Sequence, residues 1–233
     1  MLFPQRCVGC GRFETSLCTD CRRSLVEVCP DHCPRCGRSG VGWSIPAWCP
    51  ECVGLELGFS SARGAFLYEG VARDLVTSLK YEGQRALAPL MAELAVPAFR
   101  QALAERPGAL VTWMPAHRTT TRQRGYNQAE VLARALCALT GATLVDPPVR
   151  KVRRTRHQRG LDREGRRRNL RGAFDPLPAV STERAKEVLL VDDVYTTGAT
   201  ASEVAEVVKG ATGLAVHVFT FCRTEGEARS GLQ

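Results

Sequence analysis

A parallel α/β fold preceded by a small metal-stapled module is predicted by three features of this 233-residue chain. From about residue 64 onward, strand-like and helix-like apolar periods alternate, which is the pattern of a parallel sheet covered by helices on both faces. Four Cys-x-x-Cys pairs crowd the stretch before residue 53. The segment VLLVDDVYTTGAT, Val188 to Thr200, runs from an apolar strand through two carboxylates into a turn of small and hydroxyl-bearing residues.

A chain of this length can bury one sizeable core and a small second module. The expected division is residues 1–55 and 56–233. No apolar run approaches the roughly 20 residues needed to span a bilayer. The start MLFPQRCVGC lacks the layout of a secretory signal, so a cytoplasmic location without membrane insertion is expected. Lys and Arg number 32 against 24 Asp and Glu, a formal net charge of +8 that favours polyanionic partners. That charge is concentrated in one segment. Between Arg150 and Arg171, ten Arg and one Lys face only Asp162 and Glu164, a net of +9, and this segment reads either as a solvated loop or as one that an anion orders.

The cysteines come in spaced pairs: Cys7 with Cys10, Cys18 with Cys21, Cys33 with Cys36, and Cys49 with Cys52. Each Cys-x-x-Cys knuckle can turn two thiolates onto one ion, and two knuckles complete the four-sulfur tetrahedron that Zn²⁺ prefers. Two structural zinc sites are therefore expected, with consecutive and interleaved pairing both open. Gly11 and Gly37 follow two of the knuckles, where a tight turn is needed. A disulfide scaffold is the competing reading, without support from an oxidising compartment. Cys29 and His32 are left over as a spare thiol or substitute ligands, and Cys137 and Cys222 read as ordinary buried residues.

In order, residues 64–68 read as a strand and 71–80 as a helix with Val71, Leu75, Val76 and Leu79 on one face. A second helix is expected over 86–105, with Pro89 near its start and Pro97 as a kink or break. A buried strand over 109–115 ends at Pro115. The helix over 127–141 has Asn127 as N-cap and Gly141 as stop. Short strands follow at 142–146 and 172–175, and a strand–helix–strand unit closes the chain at 187–191, about 200–209, and 214–222.

The opening segment then falls at the carboxyl end of a central strand, where open α/β sheets bind ligands. Backbone N–H groups at Gly198 and Ala199, the hydroxyls of Thr196, Thr197 and Thr200, and the start of a helix together suit a phosphate. Asp192 and Asp193 would repel one, so they are expected to hold neighbouring sugar hydroxyls or a Mg²⁺ on the same molecule. The implied ligand is a phosphorylated sugar. The sequence has neither GxxxxGK[ST] nor GxGxxG, which speaks against the Walker and dinucleotide readings.

The thirteen residues of that segment resemble the 5-phosphoribosyl-1-pyrophosphate (PRPP) motif of type I phosphoribosyltransferases. The resemblance implies a type I phosphoribosyltransferase-like parallel sheet, ribose hydroxyls on Asp192 and Asp193, the 5-phosphate wrapped by Thr196 to Thr200, and Mg²⁺ arriving with PRPP. LVTWMP running into AHR resembles the pyrophosphate loop and implies roles for Ala116, His117 and Arg118, although His117 also has a structural reading. The basic segment falls where such enzymes carry a catalytic loop, which makes Arg153 and Arg154 candidate catalytic cations beside Asp192 and Asp193.

Taken with the knuckles, RQRGYNQAEVLA (122–133) and HQRGLDREGRRRNLRGAF (157–174) make the whole chain similar to the ComF family of competence-associated proteins. That resemblance implies handling of single-stranded DNA during natural transformation, in the company of a competence helicase or other DNA-processing proteins. Two readings follow. In one, the chain is an enzyme transferring phosphoribosyl from PRPP to an unidentified acceptor. In the other it is a binding module in which Arg122, Arg124, Arg156, Arg159, Arg166, Arg167 and Arg168 hold single-stranded DNA. Trp43, Trp48 and Phe59 either serve as stacking platforms for bases or pack the metal module.

Overall fold

The most apolar stretch of the sequence, VLLV, lies in the middle of the sheet. The structure, a computed structural model, describes residues 6–40, 48–50, 52–81, 83–154, 165, 170–178 and 185–225. Its elements are α1 (Thr19–Arg23), β1 (Ser61–Leu67), α2 (Gly70–Tyr81), α3 (Leu87–Ala104), β2 (Leu110–Trp113), α4 (Arg118–Arg124), α5 (Gln128–Thr140), β3 (Val149–Lys151), β4 (Phe174–Pro176), β5 (Glu187–Tyr195), α6 (Ala199–Thr212) and β6 (Ala215–Arg223). The central sheet has the order β1-β6-β5-β2, with every pair parallel. β3 and β4 form a separate antiparallel ribbon. The predicted parallel sheet flanked by helices is the observed architecture.

Strands buried on both faces need continuous apolar runs, which is why Val188 to Val191 and Val216 to Cys222 carry so few polar residues. Helices α3 and α5 pack together and against β1, β2 and β5, while α6 packs on β6 and the β3–β4 ribbon. Phe99 and Phe219 meet edge-on at 5.0 Å between ring centres, and Phe66 meets Phe221 at 5.2 Å. Burying each such side chain contributes about 1.5–3 kcal/mol. Helix α5 has its predicted ends: Asn127 Oδ1 accepts from Ala129 N–H at 3.0 Å, and Gly141 closes it at φ 73°.

Three expectations are corrected. Helix α3 runs unbroken through Pro97; Pro97 and Glu93, whose carbonyl loses its donor, are both exposed, so water can satisfy that group. The 142–146 segment makes one parallel bridge, Leu144 with Val111, held by Val111 N–H to Thr143 C=O and Val145 N–H to Val111 C=O, each 2.8 Å. Strand β5 does not stop at Val191 but continues to Tyr195, because β6 supplies partners as far as Arg223. Asp192 and Asp193 are therefore strand residues. Three short elements escaped the sequence reading: α1, five residues within the first ribbon, α4, which buries no residue, and β3, which is three residues long. Among the described residues, no helix is long and apolar enough to cross a membrane.

The edge of β1 is covered. Val28 N–H donates to Ala65 C=O at 3.0 Å and Leu67 N–H to Val26 C=O at 2.8 Å, so the segment between the two cysteine clusters pairs antiparallel with β1. This removes an open edge that would otherwise invite another chain.

A polar cluster is buried at the amino-terminal end of the same strands. Ser61 Oγ lies 2.8 Å from His217 Nδ1 and accepts from Arg106 Nη2 at 2.7 Å, while His217 Nε2 lies 3.5 Å from Glu187 Oε1. Burial pushes the His217 pKa below its ordinary 6.5 and the Arg106 cation adds to this, against the pull of Glu187. A histidine of that kind binds its proton more weakly folded than unfolded. Its contribution to stability is therefore complete above about pH 6.5 and declines as the pH falls through the lowered value. His217→Asn is expected to flatten the acid limb of a plot of melting temperature against pH, and Ser61→Ala to cost about 1–3 kcal/mol by leaving Arg106 and Nδ1 without their shared partner. An acid limb unchanged by His217→Asn would remove the histidine from this role.

Candidate functional site

The eight paired cysteines gather into two sets, Cys7, Cys10, Cys18 and Cys21, and Cys33, Cys36, Cys49 and Cys52, with the sulfurs of each set within 4.8 Å of one another. The pairing is consecutive. The two knuckles that open the sets repeat one design: Cys7 N–H donates to Arg12 C=O at 2.7 Å and Gly11 N–H to Cys7 C=O at 2.8 Å, and Cys33 and Gly37 make the same bonds at 2.8 Å each. Gly11 and Gly37 sit at φ 75° and 71°, where a side chain would strain the turn. Backbone N–H groups of Cys18 and Cys49 point at the sulfurs of Cys7 and Cys33, at 3.4 and 3.3 Å, as suits thiolates bound to a cation. Every cysteine is unbridged, which overturns the disulfide reading. Both sets fit Zn²⁺. Cys29 and His32 belong to neither set; His32 Nδ1 is bonded to Cys29 C=O at 3.1 Å.

The two sites have different neighbours. The first makes a satellite cluster with Leu17 and Val71 only, whereas the cysteines of the second are part of the main core. Ala62 N–H donates to Arg35 C=O at 2.8 Å, Arg63 Nη1 to Pro34 C=O at 2.9 Å, and the buried Arg223 Nη1 to Cys36 C=O at 2.7 Å. At Gly37, a Cβ would come within 2.4 Å of Ala62 O, so the knuckle can sit this close to β1 only as glycine.

At the carboxyl ends of the strands a cleft of about 310 Å³ is lined by Asp192, Asp193, Thr196, Gly198, Ala199 and Thr200, and across from them by Lys80, Ala116, His117, Arg124 and Lys151. Asp193 is 4% exposed, and its Oδ2 lies 2.9 Å from Lys80 Nζ. Asp192 Oδ1 accepts the Asp193 N–H at 2.9 Å. Burial and the neighbouring Asp193 push the Asp192 pKa up to about 8 against the pull of Lys80. At Lys80 burial pulls the pKa down, but the charge and hydrogen bond of Asp193, with the neighbouring Asp192, together raise it, whereas burial lowers that of Lys151.

Below the acids, the turn is shaped by one close approach. Gly198, at φ 75°, is the N-cap of α6, and a Cβ there would meet the Tyr195 hydroxyl at 2.4 Å. No side chain caps α6, so the first N–H groups of the helix face the cleft beside Ala199, Thr200 and Ala201. The Thr197 hydroxyl is buried without a hydrogen-bond partner next to this turn, although Thr197 itself does not line the cleft. Tyr195 itself packs edge-on against Phe59 at 6.1 Å and lies beneath Arg223 at 5.4 Å.

The other sequence-derived candidates are dispersed. His117 lines the cleft and also caps α4, its Nδ1 accepting from Thr119 N–H at 3.3 Å. Arg118 faces a neighbouring groove of about 650 Å³ that shares Ala116, Asn127 and Lys151 with the cleft. Arg122 is exposed on α4, and Arg124 Nη1 donates to Gln128 Oε1 at 2.8 Å. Arg153 and Arg154 are exposed and do not line the cleft; Arg153 Nη2 donates to Arg171 C=O at 2.9 Å. Arg156, Arg159, Arg166, Arg167, Arg168 and Trp43 lie outside the described residues. Phe59 is 2% exposed and cannot act as a platform, whereas Trp48 is 46% exposed with Arg35 4.2 Å above its ring. Lys80 and Lys151 are cleft residues that the sequence reading missed. The signal for Lys80 was its position: it follows Leu79 and falls four residues after Val76, in phase with the buried stripe of α2.

The class is thus a mixed α/β protein that bears a double zinc ribbon and opens a polar cleft at the carboxyl ends of its strands. Residues 1–53 match the double zinc ribbon domain. The chain is 28% identical over 216 residues to Competence protein F of Haemophilus influenzae, covering 89% of this chain and 92% of that protein. It is 29% identical over 213 residues to DNA utilization protein YhgH of Salmonella typhimurium, with 89% and 90% covered, and 24% identical over 213 residues to Competence protein ComFC of Streptococcus pneumoniae, with 90% and 89% covered. The resemblance to ComF proteins therefore extends over nine-tenths of the chain.

The unequal surroundings of the two zinc sites predict stepwise loss of metal. With a strong chelator, one zinc is expected to appear on a colorimetric indicator while far-UV circular dichroism and the melting transition of the main core change little. The second should be released only as that core unfolds. Simultaneous release of both ions with the helical signal would show that the first ribbon is as integral as the second.

Proposed function

We propose that this protein binds a ribosyl phosphate, PRPP in the first place, and serves in the handling of DNA during its uptake. The observation that carries the sugar-phosphate half is the juxtaposition in one cleft of Asp192 and Asp193 with Thr196, the start of α6, which no side chain caps, and the side-chain-free Gly198. Carboxylates are acceptors for a vicinal diol, and helix N–H groups and hydroxyls are donors for a phosphate. A ligand that presents both groups a few bonds apart is satisfied at both ends. On this reading Asp192 and Asp193 take the ribose hydroxyls and Thr196 to Thr200 the 5-phosphate. Ala116, His117 and Arg118 face the pyrophosphate, and Mg²⁺ enters with the ligand to offset its charge.

The DNA half is supported by the printed names of the relatives, which speak of competence and DNA utilization, and by the net charge of +8. Single-stranded DNA is the form we assign, with the arginines of α4 and of the 150–171 segment as its phosphate contacts and the exposed Trp48–Arg35 pair as a stacking surface. The same reading divides the chain at about residue 55 into the ribbons and the PRPP-binding part. Transfer of the phosphoribosyl group to an acceptor would place Arg153 and Arg154 over the departing pyrophosphate, and release of pyrophosphate from PRPP is its direct readout.

Calorimetric titration of PRPP with Mg²⁺ should give binding to the wild type that Asp192→Asn, Asp193→Asn weakens by at least about tenfold, the size of one charge-assisted hydrogen bond or more. Single-stranded DNA affinity should fall steeply with salt in both proteins. A wild type that takes up no PRPP would remove the ribosyl-phosphate reading, and salt-insensitive or absent DNA binding would remove the other half.

A further inference from the structure

Lys80 lies outside the motif that forms the rest of the cleft, and three contacts hold the end of α2 that carries it. Its ammonium is 2.9 Å from Asp193 Oδ2, with side-chain exposures of 20% for Lys80 and 5% for Asp193. The preceding Leu79 C=O accepts a hydrogen bond from the buried Tyr126 hydroxyl, and the Tyr81 ring lies 5.3 Å from the Arg124 guanidinium. At the other end of the helix, Val71 packs against the first zinc ribbon, close enough that a Cβ on Gly9 would meet Val71 Cγ2 at 2.9 Å and Cys21 Sγ at 2.8 Å. A lysine in the last turn is also favoured by the helix dipole.

We infer that Lys80 is a positioning residue for the sugar subsite: by holding Oδ2 of Asp193 it fixes the orientation of that buried carboxylate and leaves Oδ1 as an acceptor for a ribose hydroxyl. The inference rests on the ribosyl-phosphate reading. Two adjacent carboxylates in a mostly buried cleft repel one another and share protons unless a cation separates their roles. Lys80 attends to Asp193 from α2 and also pulls on Asp192, while Lys151 on β3 lines the same cleft. Among the described residues the ion pair of Lys80 is with Asp193, at the sugar end of the cleft, so the phosphate subsite is expected to bind independently of it.

That independence supplies the test. Ribose 5-phosphate and inorganic phosphate are titrated by calorimetry into the wild-type full chain, Lys80→Met and Lys80→Arg. The expected result is a loss of about tenfold or more in ribose 5-phosphate affinity for Lys80→Met, with phosphate affinity kept within about twofold, and recovery of most of the loss in Lys80→Arg. If Lys80→Met fails to fold, Lys80→Gln, which keeps a donor without the charge, should show the same sugar-selective loss. Equal loss of both ligands, or no loss of either, overturns the positioning role while leaving the ribosyl-phosphate reading in place. A wild type that does not prefer ribose 5-phosphate to phosphate overturns that reading and the role of Lys80 with it.

Discussion

Two carboxylates at the end of a buried strand are an electrostatic burden that the surrounding structure has to relieve. Asp192 and Asp193 follow four apolar residues of β5 and remain inside the sheet, paired in register with β6 on one side. Asp193 is nearly cut off from water, and its Oδ2 is met instead by a cation brought from elsewhere in the chain, Lys80. Lys80 and Lys151 both come from elements that precede β5 in sequence, one by more than a hundred residues and the other by about forty, and both line the same cleft. The position of α2 is set by that requirement at one end and by the first zinc ribbon at the other.

The zinc ribbons answer a different shortage. The first 55 residues are too poor in apolar side chains to fold by burial alone, and a structural Zn²⁺ supplies on the order of 10–16 kcal/mol to such a segment. The second ribbon goes further, because its cysteines are continuous with Phe59, Ala62 and the sheet. Arg223 binds the carbonyl of Cys36 and also lies over Tyr195, whose hydroxyl sits beneath Gly198. A line of contacts therefore joins the second metal site to the start of α6.

Much of this was legible in the sequence, for identifiable reasons. Local signals were reliable: Asn127 and Gly141 delimit α5, and Cys-x-x-Cys spacing predicts both four-sulfur sets. The order in which the knuckles pair was not legible, since spacing permits two arrangements and only the fold selects one. The extent of β5 was misread because Asp disfavours strands locally, while hydrogen bonding to β6 overrides that preference. Helix α4, RTTTRQR, has no apolar face to announce it and is defined by its ends, His117 and Gly125. The cluster of Ser61, Arg106, Glu187 and His217 was invisible for a simpler reason: Ser61 and His217 are 156 residues apart. Long-range polar partners leave no trace in any local window.

The two ribbons are copies of one design placed in different company. Both knuckles carry the same turn, with a bridge from the residue before the first cysteine to the residue six after it, Arg6 with Phe13 and His32 with Ser39. One copy forms a small satellite cluster that meets the body through Val8, Leu17 and Val71, and the other was absorbed into the interior. After such a duplication the constraints on the pair diverge. The outlying copy can change its surface with little consequence for folding and so is free to acquire new contacts, whereas every residue of the inner copy is answerable to the sheet.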